Sequence, residues 1–394
     1  MKPRTKLPSP RACVQALAPY VPGRPIEEVE ATFCVRNAVK LASNENPLGP
    51  SPKAIAAAQE ALANVHRYPD GAGTRLREAL AARWGFPIES VLLGSGAAEL
   101  IDVAVRAFVD PGEEVVVPYG IFRMFTVAVS RSGGTNVCVP THADLTPDLP
   151  ELVKHIGPST KIVALANPNN PTGAYVSRDA LETFLDALPS HVLAIVDEAY
   201  FEFAHGVVAD YPNALDFLRE GRNLLVLRTF SKAAGLAGLR IGYGFALPEI
   251  ADALQKVREP FNTTSISQAA AIAALDDDEH VARTRTLVLT ERAFLETSLR
   301  ERGLAPYPSI ANFLLVGLSV PFAPIESEFA RRGVILRSMD GWGYPNAFRL
   351  SVGTHEENLR FLSVLDEVRA AGFLPNAEPA ALEEELPAAP AAAR

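Results

Sequence analysis

Residues 224–244 read LLVLRTFSKAAGLAGLRIGYG. A short apolar run, Leu224–Arg228, has the composition of a strand covered on both faces. After Ser231 and Lys232 the chain turns almost wholly to Ala, Gly and Leu, and the next cation is Arg240. A second strand is predicted over Leu239–Phe245. Working outward, similar runs occur at Val91–Leu93, Glu114–Val117, Asn136–Val139, Lys161–Ala166 and Val192–Val196. Helical patterns such as Ala97–Phe108 and Arg178–Ala187 lie between them. Strands alternating with helices predict an α/β fold with a mostly parallel, seven-stranded sheet flanked by helices. Ligands of such a sheet gather beyond the carboxyl ends of its strands.

The rest of the chain reads differently. Residues 1–48 are Pro-rich and weakly periodic, as expected of an arm lying on other parts of the protein. Residues 49–285 would form the large domain. A long helical segment (Arg285–Gly303), an NFLLVGL strand, strands at Val334–Arg337 and Phe348–Val352, and a helix from His355 to about Ala371 predict a smaller α+β domain over 286–375. Residues 376–394, rich in Ala, Pro and Glu, have too few core-forming side chains to fold alone and are expected to be disordered.

Composition narrows the function. The chain has 394 residues, 48% of them apolar and 21% charged, with a net charge of −9. That charge argues against nucleic acid as a partner. No run approaches the roughly 18 apolar residues of a membrane span. The N-terminus is basic but lacks the apolar stretch of an export signal. Three widely spaced cysteines (Cys13, Cys34, Cys138) fit a reducing cytoplasm and neither a disulfide framework nor a metal site. No HxxxH pair and no GxxxxGK[ST] loop is present, and no metal is expected.

Five stretches near predicted strand ends carry chemistry. In VLLGSGAAEL (91–100) a strand gives way to a helix through Gly-Ser-Gly, which offers backbone N–H groups to an anion. A lone GxG is as often merely a tight turn, and Glu99 in the third glycine position argues against dinucleotide binding. ANPNNPTGAY (166–175) is a rigid loop raising Asn170 as a side-chain donor, beside the plainer reading of ordinary turn chemistry. In AIVDEAYFEF (194–203), Asp197 ends a buried strand and needs a cationic or N–H partner, either as a helix cap or against a ligand's protonated nitrogen. Arg349 and Arg337 sit in strands of the second unit, suited to bidentate anion binding or to an internal salt bridge. A desolvated Lys232 near a phosphate cradle and a buried Asp197 suits a Schiff base with an aldehyde cofactor, and pyridoxal 5′-phosphate has the matching parts.

Taken in order, these stretches resemble the fold-type-I pyridoxal-phosphate aminotransferases, most closely the histidinol-phosphate aminotransferase family. The likeness runs through YVPGRPIEEVE (20–30), LASNENPLGPSP (41–52), RYPDG (67–71), NPNNPTG (167–173), VDEAY (196–200), SIANFLLV (309–316) and FRLSVGTHEEN (348–358), with LRTFSKAAGLAGLRIGYG (227–244) between them. The resemblance implies that Lys232 bonds the cofactor aldehyde, Asp197 pairs with its ring nitrogen, and Tyr200 and Asn170 hydrogen-bond its ring oxygen. Gly96, Ala97, Thr229, Ser231 and Arg240 would hold its phosphate, Phe122 would stack on its ring, and Tyr68 would reach the phosphate in a partner subunit of a homodimer. Arg349, with Arg337, would bind the anionic end of the substrate, with Tyr20 and Asn44 nearby. The implied reaction exchanges amino groups between histidinol phosphate and 2-oxoglutarate, giving imidazole-acetol phosphate and glutamate. Aromatic amino acids such as phenylalanine and tyrosine are the second candidate substrates. A decarboxylase of a phosphorylated amino acid and a non-catalytic cofactor-binding module stand further off. The chain departs from its relatives at Ala98 (often Asp), Ala234 (usually aromatic) and Phe122 (often Tyr).

Overall fold

The structure, a computed structural model, describes residues 8–19 and 22–375. Seven strands, β1 (Val91–Gly94), β2 (Glu114–Pro118), β3 (Thr135–Val139), β4 (Thr160–Ala166), β5 (Leu193–Asp197), β6 (Leu224–Thr229) and β7 (Gly242–Phe245), form one sheet in the order β1-β7-β6-β5-β4-β2-β3. Only β7 runs antiparallel, to both β1 and β6. The parallel strands require crossovers, and the helices that supply them cover both faces.

Side-chain alternation sorts the two faces. Leu193, Ile195, Leu225 and Leu227 pack with Leu100 and Ile101 of the helix Ala97–Phe108. Ala194, Val196, Leu224 and Val226 pack on the other side with Leu80, Leu215 and Phe217. Odd-numbered positions of β5 and β6 therefore face the helix after β1, and even-numbered ones face the opposite layer.

A second core surrounds a three-stranded antiparallel sheet of β8 (Phe313–Gly317), β9 (Arg337–Ser338) and β10 (Ala347–Ser351), in the order β9-β10-β8. The helices Asp278–Glu301 and His355–Ala370 contribute to it. The second of these opens with a capping box between Thr354 and Glu357, as THEE in the sequence suggests.

Three expected boundaries move. The strand predicted from Leu239 begins only at Gly242, because Ala237–Leu239 form a 3₁₀ turn and Arg240 adopts a left-handed φ of 52°. The helix predicted from Arg285 begins at Asp278, capped by the Asp277 side chain, which accepts from the His280 N–H. The Val334–Arg337 strand divides at buried Leu336. Val334–Ile335 pair with Val39–Lys40 of the N-terminal segment, whereas Arg337–Ser338 join β10. The expectation for residues 376–394 lies outside the described residues.

Candidate active site

The carboxyl ends of β4, β5 and β6 meet the N-terminal segment and β10 around one cavity. Ala42, Ser43, Asn44, Phe122, Asn170, Tyr200, Lys232, Arg337, Trp342 and Arg349 line it. Of the residues expected to act together, Lys232, Asn170, Tyr200, Phe122, Asn44, Arg337 and Arg349 are thus gathered in one place. Tyr20 lies outside the described residues.

Lys232 follows β6 and donates from Nζ to the Ser43 carbonyl at 3.2 Å, with the Tyr200 ring centroid 5.7 Å away. Burial, then the Arg349 cation, pulls its amine down to about 8. A substantial neutral fraction is therefore present near pH 8, which an ordinary lysine lacks. Asp197, at the end of β5, is 4% exposed, and its Oδ1 accepts from the Ala199 N–H at 3.0 Å. No cation lies within ion-pair distance of it among the described residues. Burial pushes its carboxyl up to about 7; the Ala199 N–H and Lys232 act against that rise, and neighbouring Glu198 adds to it.

Tyr200 accepts at its hydroxyl from Asn44 Nδ2 at 2.9 Å, so its own O–H remains to donate. Burial raises that hydroxyl to about 12, which keeps it protonated. Asn170 gives its carbonyl oxygen to Arg349 Nη1 at 2.6 Å, leaving its amide N–H groups as the donors. Arg349 also donates from Nη2 to the Ala42 carbonyl at 2.7 Å, and it stands directly across from Arg337 in the β9–β10 register. Asn44 is held in turn by β10, since its backbone N–H donates to Ser351 Oγ at 2.7 Å.

A second feature lies beyond the cavity wall. The helix Ala97–Phe108 starts at Gly96 with no side-chain cap; the Glu99 N–H donates to the Gly96 carbonyl at 3.2 Å, and the Ala97 and Ala98 N–H groups are left to a ligand. Arg240 reaches the same spot, donating from Nη2 to the Ser95 carbonyl at 3.3 Å, and it has no carboxylate partner among the described residues. Thr229 Oγ1 donates to Ser231 Oγ at 2.9 Å on β6 beside this helix start. A bare helix N-terminus, a guanidinium and two hydroxyls form a donor set for a phosphate dianion.

Gly96 has φ 78° and ψ 163°, a region open essentially to glycine, and an added Cβ would stand 2.3 Å from Arg240 Nη2. Gly96→Ala is expected to cost about 1–3 kcal/mol of stability and to displace the guanidinium. Thermal unfolding and phosphate-ester binding of the variant check this, and wild-type values for both would count against the cradle.

Tyr68 is not among the residues that line the cavity. It is 84% exposed and stacks on Phe261, with ring centroids 4.9 Å apart. The departures are also placed. Phe122 lines the cavity, and the space beside Ala234 is left as a separate cavity of about 410 Å³ among Trp84, Phe201, Phe230 and Tyr243. Ala98 makes no contact that explains the change.

Sequence reasoning missed Ser43, Trp342 and the buried pair Glu198–Arg228. Trp342, one of two tryptophans in the chain, lies in the Gly-flanked turn DGWGYPN, and its ring centroid is 5.2 Å from the Arg337 guanidinium carbon. Arg228 sits in an apolar strand just as Arg349 does, so the same signal was available.

Residues 36–365 match the family described as aminotransferase class I and II. The chain belongs to that family. It is 44% identical to histidinol-phosphate aminotransferase 1 of Nitrosococcus oceani, over 91% of this chain and 96% of that protein. It is 46% identical to the histidinol-phosphate aminotransferase of Anaeromyxobacter sp., over 91% and 98%. Among solved structures it resembles the histidinol-phosphate aminotransferase of Sinorhizobium meliloti in complex with pyridoxal-5′-phosphate. That match has a TM-score of 0.85 and 30% identity and covers 93% of this chain and 99% of that one. The aspartate aminotransferase of Thermus thermophilus with maleate matches with a TM-score of 0.79 at 26% identity, over 92% and 100%. This aminotransferase thus shares its fold with those solved structures over more than nine-tenths of its length.

Proposed function

We propose that this aminotransferase uses pyridoxal 5′-phosphate to move the amino group of histidinol phosphate to 2-oxoglutarate. The observation that carries the cofactor reading is the pairing of a bare helix N-terminus and Arg240 with a desolvated Lys232 and a cation-less buried Asp197. The names of the relatives in Nitrosococcus and Anaeromyxobacter support the donor.

The bound cofactor supplies an aldehyde and a ring that accepts the electrons released when a proton leaves the substrate's α-carbon. Lys232 would hold the cofactor through its aldehyde, and its Nζ is the base that would take the substrate's α-proton and return it. The Asp197 carboxylate would hold the ring nitrogen protonated, and that contact would relieve its unpaired burial. Tyr200 O–H and the Asn170 amide would donate to the ring oxygen, and Phe122 would pack on the ring. Gly96, Ala97, Thr229, Ser231 and Arg240 would hold the cofactor phosphate. Arg349 and Arg337 bind the anionic end of the substrate, beside Asn44, and keep it from rotating out of reach of Lys232.

Arg349→Lys keeps the charge but loses the planar fork that grips Asn170 and Ala42. It is expected to raise KM for histidinol phosphate by about 10- to 100-fold with a smaller fall in kcat. Initial rates against donor concentration check this, and an unchanged KM would remove Arg349 from donor binding.

We also propose a homodimer in the cytoplasm. Ile55, Leu62, Val65, Tyr68 and Phe261 are exposed apolar side chains of neighbouring segments, a surface suited to a second copy. Three free cysteines fit a reducing compartment. No helix among the described residues is long and apolar enough to cross a membrane. Sedimentation equilibrium that returned a monomer would contradict the dimer. The substrate is tested by glutamate formation from 2-oxoglutarate with histidinol phosphate or phenylalanine as donor. A kcat/KM at least about tenfold higher for histidinol phosphate is expected, and the reverse order would replace the donor with an aromatic amino acid.

A further inference from the structure

Glu198 and Arg228 lie on the far side of the sheet from the cofactor site. Asp197 and Leu227 pair in the β5–β6 register, and the next residues along the chain, Glu198 just past the end of β5 and Arg228 on β6, fall on the opposite face by alternation. Both are 1% exposed. Arg228 donates to Glu198 Oε2 from Nε at 2.9 Å and from Nη2 at 2.7 Å, and Nη2 also reaches Asn213 Oδ1 at 2.8 Å. The other Glu198 oxygen accepts from the Ala214 N–H at 2.9 Å. The guanidinium carbon sits in the corner of two rings, 4.2 Å from the Trp84 centroid and 3.6 Å from that of Phe201.

An ion pair buried this deeply seldom stabilises a fold more than apolar side chains of the same size would. Its place in the chain suggests another use. Glu198 stands between Asp197 and Tyr200, and Arg228 directly precedes Thr229 and lies four residues before Lys232. We propose that Glu198 and Arg228 are a positioning pair for the cofactor site: they fasten the ends of β5 and β6 side by side, and the guanidinium offsets part of the field that the Glu198 carboxylate imposes on Asp197.

The inference rests on the pyridoxal-phosphate reading. Other charges bear on the same groups. Asp197 also faces Lys232, and Arg228 also faces Glu202 and Tyr243, with Asp216 and His205 in the same field. Burial pushes Glu202 up to about 7, so near neutrality it adds only part of a charge to the pair.

The test is equilibrium binding of pyridoxal 5′-phosphate to the full-length apo-protein as a function of pH, with thermal unfolding measured alongside. In the wild type, affinity falls on the acid side as Asp197 takes up a proton, and Asp197→Asn identifies that limb by abolishing it. Glu198→Gln leaves the guanidinium uncompensated and moves the limb to lower pH. Arg228→Met leaves the carboxylate uncompensated and moves it to higher pH, each by about one pH unit. Arg228→Lys, which keeps the charge, retains the wild-type limb. A merely structural pair would lower the melting temperature in both variants and shift the limb the same way or not at all, and that result overturns the proposal. Should Arg228→Met fail to fold, Glu198→Gln decides alone: a limb that stays or rises refutes it. Absence of any wild-type binding would instead overturn the cofactor reading, and this inference with it.

Discussion

Lys232→Ala is expected to lose amino transfer by more than about 10³-fold, together with the visible absorbance that a lysine-bound pyridoxal phosphate gives. Under the proposed mechanism two roles vanish in one substitution. The amine that would anchor the aldehyde is gone, and so is the base that would take the α-hydrogen. The remaining cavity supplies no replacement. Tyr200 is held near 12 and serves as a donor, and the guanidinium groups of Arg337 and Arg349 offer only donors. Lys232→Arg separates charge from chemistry, since it keeps the cation near Ser43 but cannot bond an aldehyde, and it is expected to be as inactive as the alanine variant. Turnover assays and absorbance spectra of both variants check this. Appreciable turnover in either would remove Lys232 from its assigned role.

Asp197→Ala is expected to lower kcat by about 10³-fold, with the cofactor still captured by Lys232. Without the carboxylate the ring nitrogen has no anionic partner in a buried site, and a neutral ring accepts electrons poorly. The sign of the pH effect follows from the same burial. In the apo-protein the Asp197 carboxyl is raised from its ordinary 3.8 to about 7. Its contribution to folding stability is therefore full below about pH 4 and is lost as pH rises through 7. A bound, protonated ring nitrogen reverses that loss, so the cofactor's stabilising effect on wild type is expected to exceed its effect on Asp197→Ala at pH 8. Melting temperatures with and without cofactor measure the difference, and equal increments would show that Asp197 makes no such contact.

The large sheet was legible because its strands are continuous apolar runs, and the candidate residues that the structure gathers around one cavity stood out because they break those runs at the ends. Lys232, Asp197 and Arg349 stand out as ionisable groups in surroundings that do not solvate them. What escaped the sequence has mostly non-local causes. Ser43 accepts the Lys232 proton donor from 189 residues away, and Asn44 is fixed to β10 from 307 residues away. Nothing in LASNEN by itself reports either contact. The late start of β7 arises from Arg240, whose left-handed backbone turns its guanidinium back toward Ala237 and Ser95. Apolar patterning is blind to that turn, because Leu239 and Ile241 suit a strand equally well. Leu336 is buried like its neighbours, so the exchange of sheet partners on either side of it leaves no mark on the hydrophobic pattern.

In the proposed reaction this site takes the amino group of histidinol phosphate through Lys232 and a bound pyridoxal phosphate. Rapid mixing of the cofactor-loaded protein with histidinol phosphate, with 2-oxoglutarate omitted, isolates that half of the reaction. The expected result is a single-turnover loss of the lysine-bound cofactor's visible absorbance, faster with histidinol phosphate than with phenylalanine, restored by 2-oxoglutarate and without release of carbon dioxide. An unchanged spectrum with histidinol phosphate, or a change seen with phenylalanine alone, would contradict it.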